Sequence, residues 1–155
     1  MSDTNDAAAV PVWFWIVGIV FLLWGLAGIY AFYSQLTTPY EQLVATMGKA
    51  GADCIAAMPQ WLWWVYGAAV WSGIFGTVAL LLRRAWAQPL YLCSLVAVLV
   101  QFGYSFGVAR IHEIMGWSAA IFPAVIIVLA AVQLWFATSS KKKGWLRSTK
   151  HALAG

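Results

Sequence analysis

The residues with the widest chemical repertoire lie in two polar stretches. Arg110, His112 and Glu113 form one, and Glu41, Asp53 and Cys54 fall in the other. Carboxylates, an imidazole and a thiol could together hold a metal or move protons, provided folding brings the stretches to one place. Their spacing does not favour it. His112 and Glu113 are adjacent, whereas helical ligand pairs sit at i, i+4. Arg110 and Glu113 are one helical turn apart, which reads as a local ion pair. No Ser/His/Asp order, CxxC, phosphate-cradling glycine loop or zinc spacing is present. The pattern calls for no catalytic residue, no metal and no cofactor, and the chain reads as non-enzymatic.

A second constellation is uncharged. Ser94, Gln101, Tyr104 and Ser105 recur at helical spacing and share one side. A buried Gln amide carries two donors and an acceptor, and each needs a partner. One reading is interhelical glue, with Gln101 bonded to Ser72 or Tyr66, worth about 1 kcal/mol per bond. The other is a binding site for a small neutral solute. Gln101 and Tyr104 would then supply the hydrogen bonds, and Trp24 and Trp71 would stack on a sugar ring.

The elements that must position these groups are apolar. The 155-residue chain is 63% hydrophobic and 9% charged, against roughly a quarter charged in a soluble domain. Four runs, 12–32, 61–82, 89–108 and 117–137, contain no Asp, Glu, Lys, Arg or His. Each has about the 20 residues that a helix needs to cross ~30 Å of hydrocarbon. Their apolarity is continuous, not alternating, which excludes a lipid-embedded barrel. The predicted fold is all-α: one domain, a four-transmembrane-helix bundle. The first run follows a leader with Asp3 and Asp6 and no basic residue, unlike a secretory signal, so it reads as a retained span. No ionisable group lies inside any run, which weighs against a proton-driven pump. Pro123 is expected to loosen a turn of the fourth span.

Orientation follows from the cations. With both termini in the cytoplasm, the inside segments hold Arg83, Arg84, Lys141, Lys142, Lys143, Arg147 and Lys150, and the outside segments hold Lys49 and Arg110. The Lys/Arg bias of short loops therefore favours N-in/C-in. Trp13, Trp15, Trp86, Trp135 and Trp145 then mark the inner interface, and Trp61, Trp63, Trp64 and Trp117 the outer one. The basic tail 138–155 reads as a lipid anchor. Lys141, Lys142, Lys143, Arg147 and Lys150 would gain ~1 kcal/mol each from anionic head groups. A basic run directly after a span argues against nucleic acid as the partner. Cys54 and Cys93 fall near opposite faces and cannot pair.

The long first connection should carry a short amphipathic helix in "TPYEQLVATMGKAG". Thr38 is its expected N-cap, Pro39 its first residue and Glu41 the capping-box partner, with Gly48 or Gly51 as the stop. Small residues should set the seams of the bundle or a homodimer contact: Gly18, Gly25 and Gly28; Ala69, Gly73 and Gly76; and the GxxxG of Gly103 and Gly107.

The stretches "VWFWIVGIVFLLWGLAGI", "LLLRRAWAQPLYLCSLVAVLVQFGYSF", "IFPAVIIVLAAVQLWFA" and "KKKGWL" resemble a family of small bacterial four-helix membrane proteins that carry the label "sugar transporter". The resemblance covers nearly the whole chain. It extends to a TPE-like helix start, here Thr38, Pro39, Tyr40 and Glu41, one residue longer. It implies a protein of the bacterial inner membrane and brings no catalytic residues. The chain departs from sugar carriers with more spans or a three-helix repeat, and it lacks the intramembrane Glu of small multidrug-resistance transporters. The reading that combines these features is an accessory protein, scaffold or small subunit of a larger membrane system. The alternative is a facilitator for a small neutral solute such as a sugar. An enzyme using His112 and Glu113 is a third class.

Overall fold

Helix is the only way these runs can satisfy their backbone in lipid without closing a barrel, and helix is what forms. The computed structural model describes residues 9–147. Its elements are α1 (Val12–Thr37), α2 (Tyr40–Ala56), α3 (Gln60–Leu81), α4 (Ala87–Gly107), α5 (Ile111–Met115), a 3-10 turn (Trp117–Ala120) and α6 (Ile121–Lys142). No β-strand is present among the described residues. Helices α1, α3, α4 and α6 are each long and apolar enough to cross a membrane. Along α1, Ile16, Ile19, Leu23, Leu26 and Tyr30 are all at least half exposed. At spacings of three and four they form a continuous outward stripe, which only lipid can solvate. The chain is a multi-pass membrane protein.

Close backbone contacts run α1 to α3, α3 to α4 and α4 to α6. Small residues permit the approach. A Cβ at Gly18 would meet Leu81 at 2.5 Å, and one at Gly76 would meet Tyr91 at 3.0 Å. The predicted seam of α1 and α3 is therefore real. The GxxxG of α4 is not part of it, because nothing lies within 4 Å of a Cβ built at Gly103 or Gly107. Between α3 and α4, Tyr91 and Thr77 exchange a buried hydroxyl bond of 2.7 Å, and Ser94 donates to the Ala69 carbonyl at 2.8 Å.

Several boundaries differ from expectation, each for a local reason. Helix α1 continues to Thr37, and Thr38 closes it by returning its N–H to Ser34 O. Thr38 therefore does not cap α2. Pro39 takes the cap position of α2, without a side-chain bond. Gly48 interrupts α2 with φ +80°, a conformation that glycine adopts without steric cost, but the helix resumes and runs to Ala56. The fourth span starts at Ile121, after the 3-10 turn, and ends at Lys142. Pro123 is thus its third residue, in the first turn, where the N–H that proline lacks would have no intrahelical partner. It caps no hinge and loosens no turn.

The largest departure is at the end of the bundle that carries Arg83 and Arg84. Gly144, at φ +76°, turns the chain back after α6. Trp145 and Leu146 enter the bundle end, and Trp145 is only 9% exposed. They join Phe14, Phe21, Leu80, Ala87, Tyr91, Phe136 and Ala137 in one core cluster. Trp145 is therefore a core residue and not an interfacial belt residue. The turn between α3 and α4 clasps this segment. Arg147 N–H donates to Arg83 O at 2.6 Å, Ala85 N–H donates to Arg147 O at 3.0 Å, and Arg83 Nε donates to Trp145 O at 2.9 Å. Arg83 holds a left-handed φ of 58° to do so.

Truncating a buried Trp removes many contacts at once. Trp145→Ala is expected to destabilise the protein by about 3 kcal/mol and to open the segment after α6 to trypsin at Lys143 and Arg147. Thermal unfolding in detergent, paired with limited proteolysis, checks both. An unchanged midpoint with an unchanged digest would contradict the clasp.

A polar-lined cavity inside the bundle

Helices α1 and α6 flank one another without backbone contact comparable to the other three seams. At the arginine end their side chains close the gap. Phe14 stacks on Phe136 at 5.7 Å, Phe21 meets the same ring edge-on at 5.7 Å, and Trp13 meets Phe136 at 5.7 Å and Trp145 at 5.3 Å. Beyond this cluster the gap becomes a cavity of about 320 Å³, at the small end of the range for ligand pockets.

All four spanning helices line it. Trp24, Gly28 and Gln35 come from α1, Tyr66 and Gly73 from α3, Ser94, Gln101 and Phe102 from α4, and Phe122, Ile126 and Gln133 from α6. No Asp, Glu, Lys, Arg or His is in the wall. The cavity is thus equipped to bind a neutral molecule through hydrogen bonds and not to move protons or compensate a charge.

The predicted residues divide. Gln101 and Trp24 line the cavity. Tyr104 does not; its ring packs edge-on against Trp61 at 5.2 Å. Trp71 does not either. It is 37% exposed on the outer face of α3, beside Phe75. The expected bonds of Gln101 to Ser72 or Tyr66 are also not made. Ser72 donates to Ala68 O of its own helix. Gln101 Nε2 reaches only Met58 Sδ, at 3.6 Å, and its Oε1 is buried without a partner. Gln133 was not anticipated. It is 5% exposed, faces the cavity and makes no hydrogen bond to the described residues. The signal was available, since a Gln in an apolar span raises the same question wherever it lies.

The charges at the end of the bundle away from Arg83 settle into local pairs. Arg110 lies 3.4 Å from Glu113, as the spacing predicts. His112 packs between Phe106 and Trp117, the latter at 4.8 Å. Asp53 accepts from Lys49 at 2.8 Å and from the Tyr40 hydroxyl, tying the two halves of α2 together across Gly48. Among the described residues no three of His, Cys, Asp and Glu gather where they could hold a metal. Burial, and then the charge of Asp53, push the Cys54 thiol up from its ordinary value, which makes it a poor nucleophile at neutral pH.

The cations assigned to lipid anchoring have internal roles as well. Lys141 donates to Gln88 at 3.1 Å, and the Lys143 ammonium lies over the Trp145 ring at 4.7 Å. Lys142 and the Arg147 side chain are exposed. Lys150 lies outside the described residues.

No protein-family model, curated protein or solved structure matches the chain.

Two outcomes follow from this geometry. A buried carbonyl oxygen without a partner costs about 1–3 kcal/mol, so Gln101→Leu is expected to leave thermal stability unchanged or to raise it. A marked loss would make Gln101 structural glue after all. In α2, the bond from Lys49, and next the one from Tyr40, hold the Asp53 carboxyl below its ordinary 3.8. Its own bond to Asp53, and next the Asp53 charge, raise Lys49 above its ordinary 10.5. The tie is therefore complete above the ordinary carboxylate value, lost as pH falls through the depressed one, and lost again as lysine deprotonates. Protection from hydrogen exchange in 49–56, taken relative to the intrinsic rate at each pH, should be greatest between those limits and smaller at high salt. A pH-independent rate of local opening would contradict the tie.

Proposed function

We propose that this chain is a non-enzymatic accessory protein of the bacterial inner membrane, a small binding or scaffold subunit and not a conduit. The observation that carries the reading is where the cavity stops. A solute path must reach both faces of the bilayer. Here the polar lining ends on the Phe14–Phe21–Tyr91–Phe136–Trp145 cluster, locked by backbone bonds to the Arg83 turn. The uncovered outer face of Gly103 and Gly107 on α4 also supports it, since small residues let another helix approach closely.

The N-in/C-in orientation belongs to the same proposal. It puts the arginine end and the tail cations beside the cytoplasmic leaflet, where anionic head groups attract them, and it puts α2 and α5 outside. The second reading, a facilitator for a small neutral solute such as a sugar, draws its support from the uncharged polar lining of Gln35, Tyr66, Gln101 and Gln133.

Two experiments separate these readings. Extraction of the native protein in polymer-bounded lipid discs, followed by native mass spectrometry, should find it in a defined larger assembly, and proteoliposomes of the pure chain should take up no sugar above the empty control. A chain that runs alone, with sugar uptake abolished by Gln101→Leu, would replace the accessory reading with the facilitator. In a background lacking both native cysteines, an impermeant thiol reagent applied to intact cells should label Ala45→Cys but reach Lys142→Cys only after lysis. The reverse pattern would overturn the orientation.

A further inference from the structure

The cavity holds hydrogen-bonding capacity that the chain does not use. Gln133 is 5% exposed and makes no hydrogen bond to the described residues, and Gln101 Oε1 is buried without a partner. Buried amides in this state are rare, and an occupant is one way to satisfy them. The wall limits what that occupant can be. It contains no charge, so an ion would lose its hydration without compensation. Most of the remaining lining is apolar, Trp24, Val98, Phe102, Phe122 and Ile126 among it, with Gln35, Tyr66 and Ser94 as the other polar groups. A fully hydroxylated molecule would press most of its hydroxyls against these apolar side chains. The fit is to a molecule with one or two hydroxyls at one end and hydrocarbon elsewhere.

The route in is also constrained. The arginine end is filled by the aromatic cluster. The cavity reaches the gap between α1 and α6, the pair without a close backbone seam, and besides Trp24 and Gln35 the α1 wall is made of small residues, Ala27 and Ala31 among them. That seam faces the lipid.

We propose that the cavity binds an uncharged, hydroxyl-bearing membrane amphiphile of the monoacylglycerol type, which enters sideways between α1 and α6. Its hydroxyl donates to Gln101 Oε1, its oxygens accept from the Gln133 amide, and its hydrocarbon lies along Trp24 and Ile126 towards the seam. This inference does not rest on the accessory role and survives its failure.

The test uses the full chain released from detergent micelles in native mass spectrometry, titrated separately with monoolein, with methyl oleate, which lacks the hydroxyls, and with glucose. Monoolein should give a saturable one-to-one adduct, and methyl oleate should bind about tenfold more weakly, the difference expected from losing one to two hydrogen bonds. Gln101→Leu with Gln133→Leu should erase that preference while the chain stays folded, because Leu occupies similar space. Val20→Leu, on the lipid face, should change nothing. Equal binding of the two esters, or retention of the preference in the double variant, would overturn the assignment, leaving a non-selective or water-filled cleft. Saturable glucose binding without monoolein binding would overturn it in favour of an aqueous solute.

Discussion

The aromatic cluster at the arginine end holds α1 to α6, and the rest of the architecture depends on it. The other three seams of the bundle are made by backbones that approach over small residues. This one is made by rings. Phe14, Phe21 and Trp13 on one side meet Phe136 and Trp145 on the other. In lipid, helices gain nothing by hiding apolar surface, so such dispersion contacts and edge-on ring pairs are what association has to draw on. Trp145 reaches the cluster only because the chain reverses at Gly144 and is pinned by the Arg83 turn. A polar backbone clasp at the membrane surface thereby fixes the packing of an apolar core inside it.

The cavity is what this closure leaves behind. Four rods held along three seams and at one end of the fourth enclose space at the other end. Into that space project Gln35, Tyr66, Gln101 and Gln133, which packing alone does not require. Had the amides been glue, they would have been spent on each other or on serines. Ser72 and Thr77 instead bond carbonyls of their own helix, and Ser94 holds α4 to α3. These hydroxyls are satisfied within the bundle, whereas Gln101 Oε1, facing the cavity, is not.

Much of this was legible in the sequence. Continuous uncharged runs of spanning length leave helices as the only solution, and Arg83 and Arg84 between two runs imply a tight antiparallel pair. Gly18, Gly25 and Gly76 mark true seams. The rotation of each helix about its axis was less accessible. A span that is apolar on nearly every side has little period to read, so Trp71, placed inwards by its depth, and Tyr104, placed inwards by the polar stripe it shares with Gln101, pack elsewhere. The boundary shifts at Thr37 and Lys142 arise because helix can continue past the apolar core on local bonding alone. The clasp was out of reach, because it joins Arg83 to Arg147 through backbone groups that carry no side-chain signature. Only the pairing of Gly144 with an apolar dipeptide in a basic tail hinted at it.

The central claim is that α1 and α6 are locked at the arginine end and parted beside the cavity. Electron–electron double resonance between spin labels in lipid nanodiscs measures this directly, using the lipid-facing pairs Val20 with Val132 near the cluster and Leu26 with Val125 beside the cavity. The account predicts a narrow distance distribution for the first pair, a broader one for the second, and broadening of the first by Trp145→Ala. Equally narrow distributions at both levels, indifferent to Trp145, would mean a continuous α1–α6 seam and would contradict it.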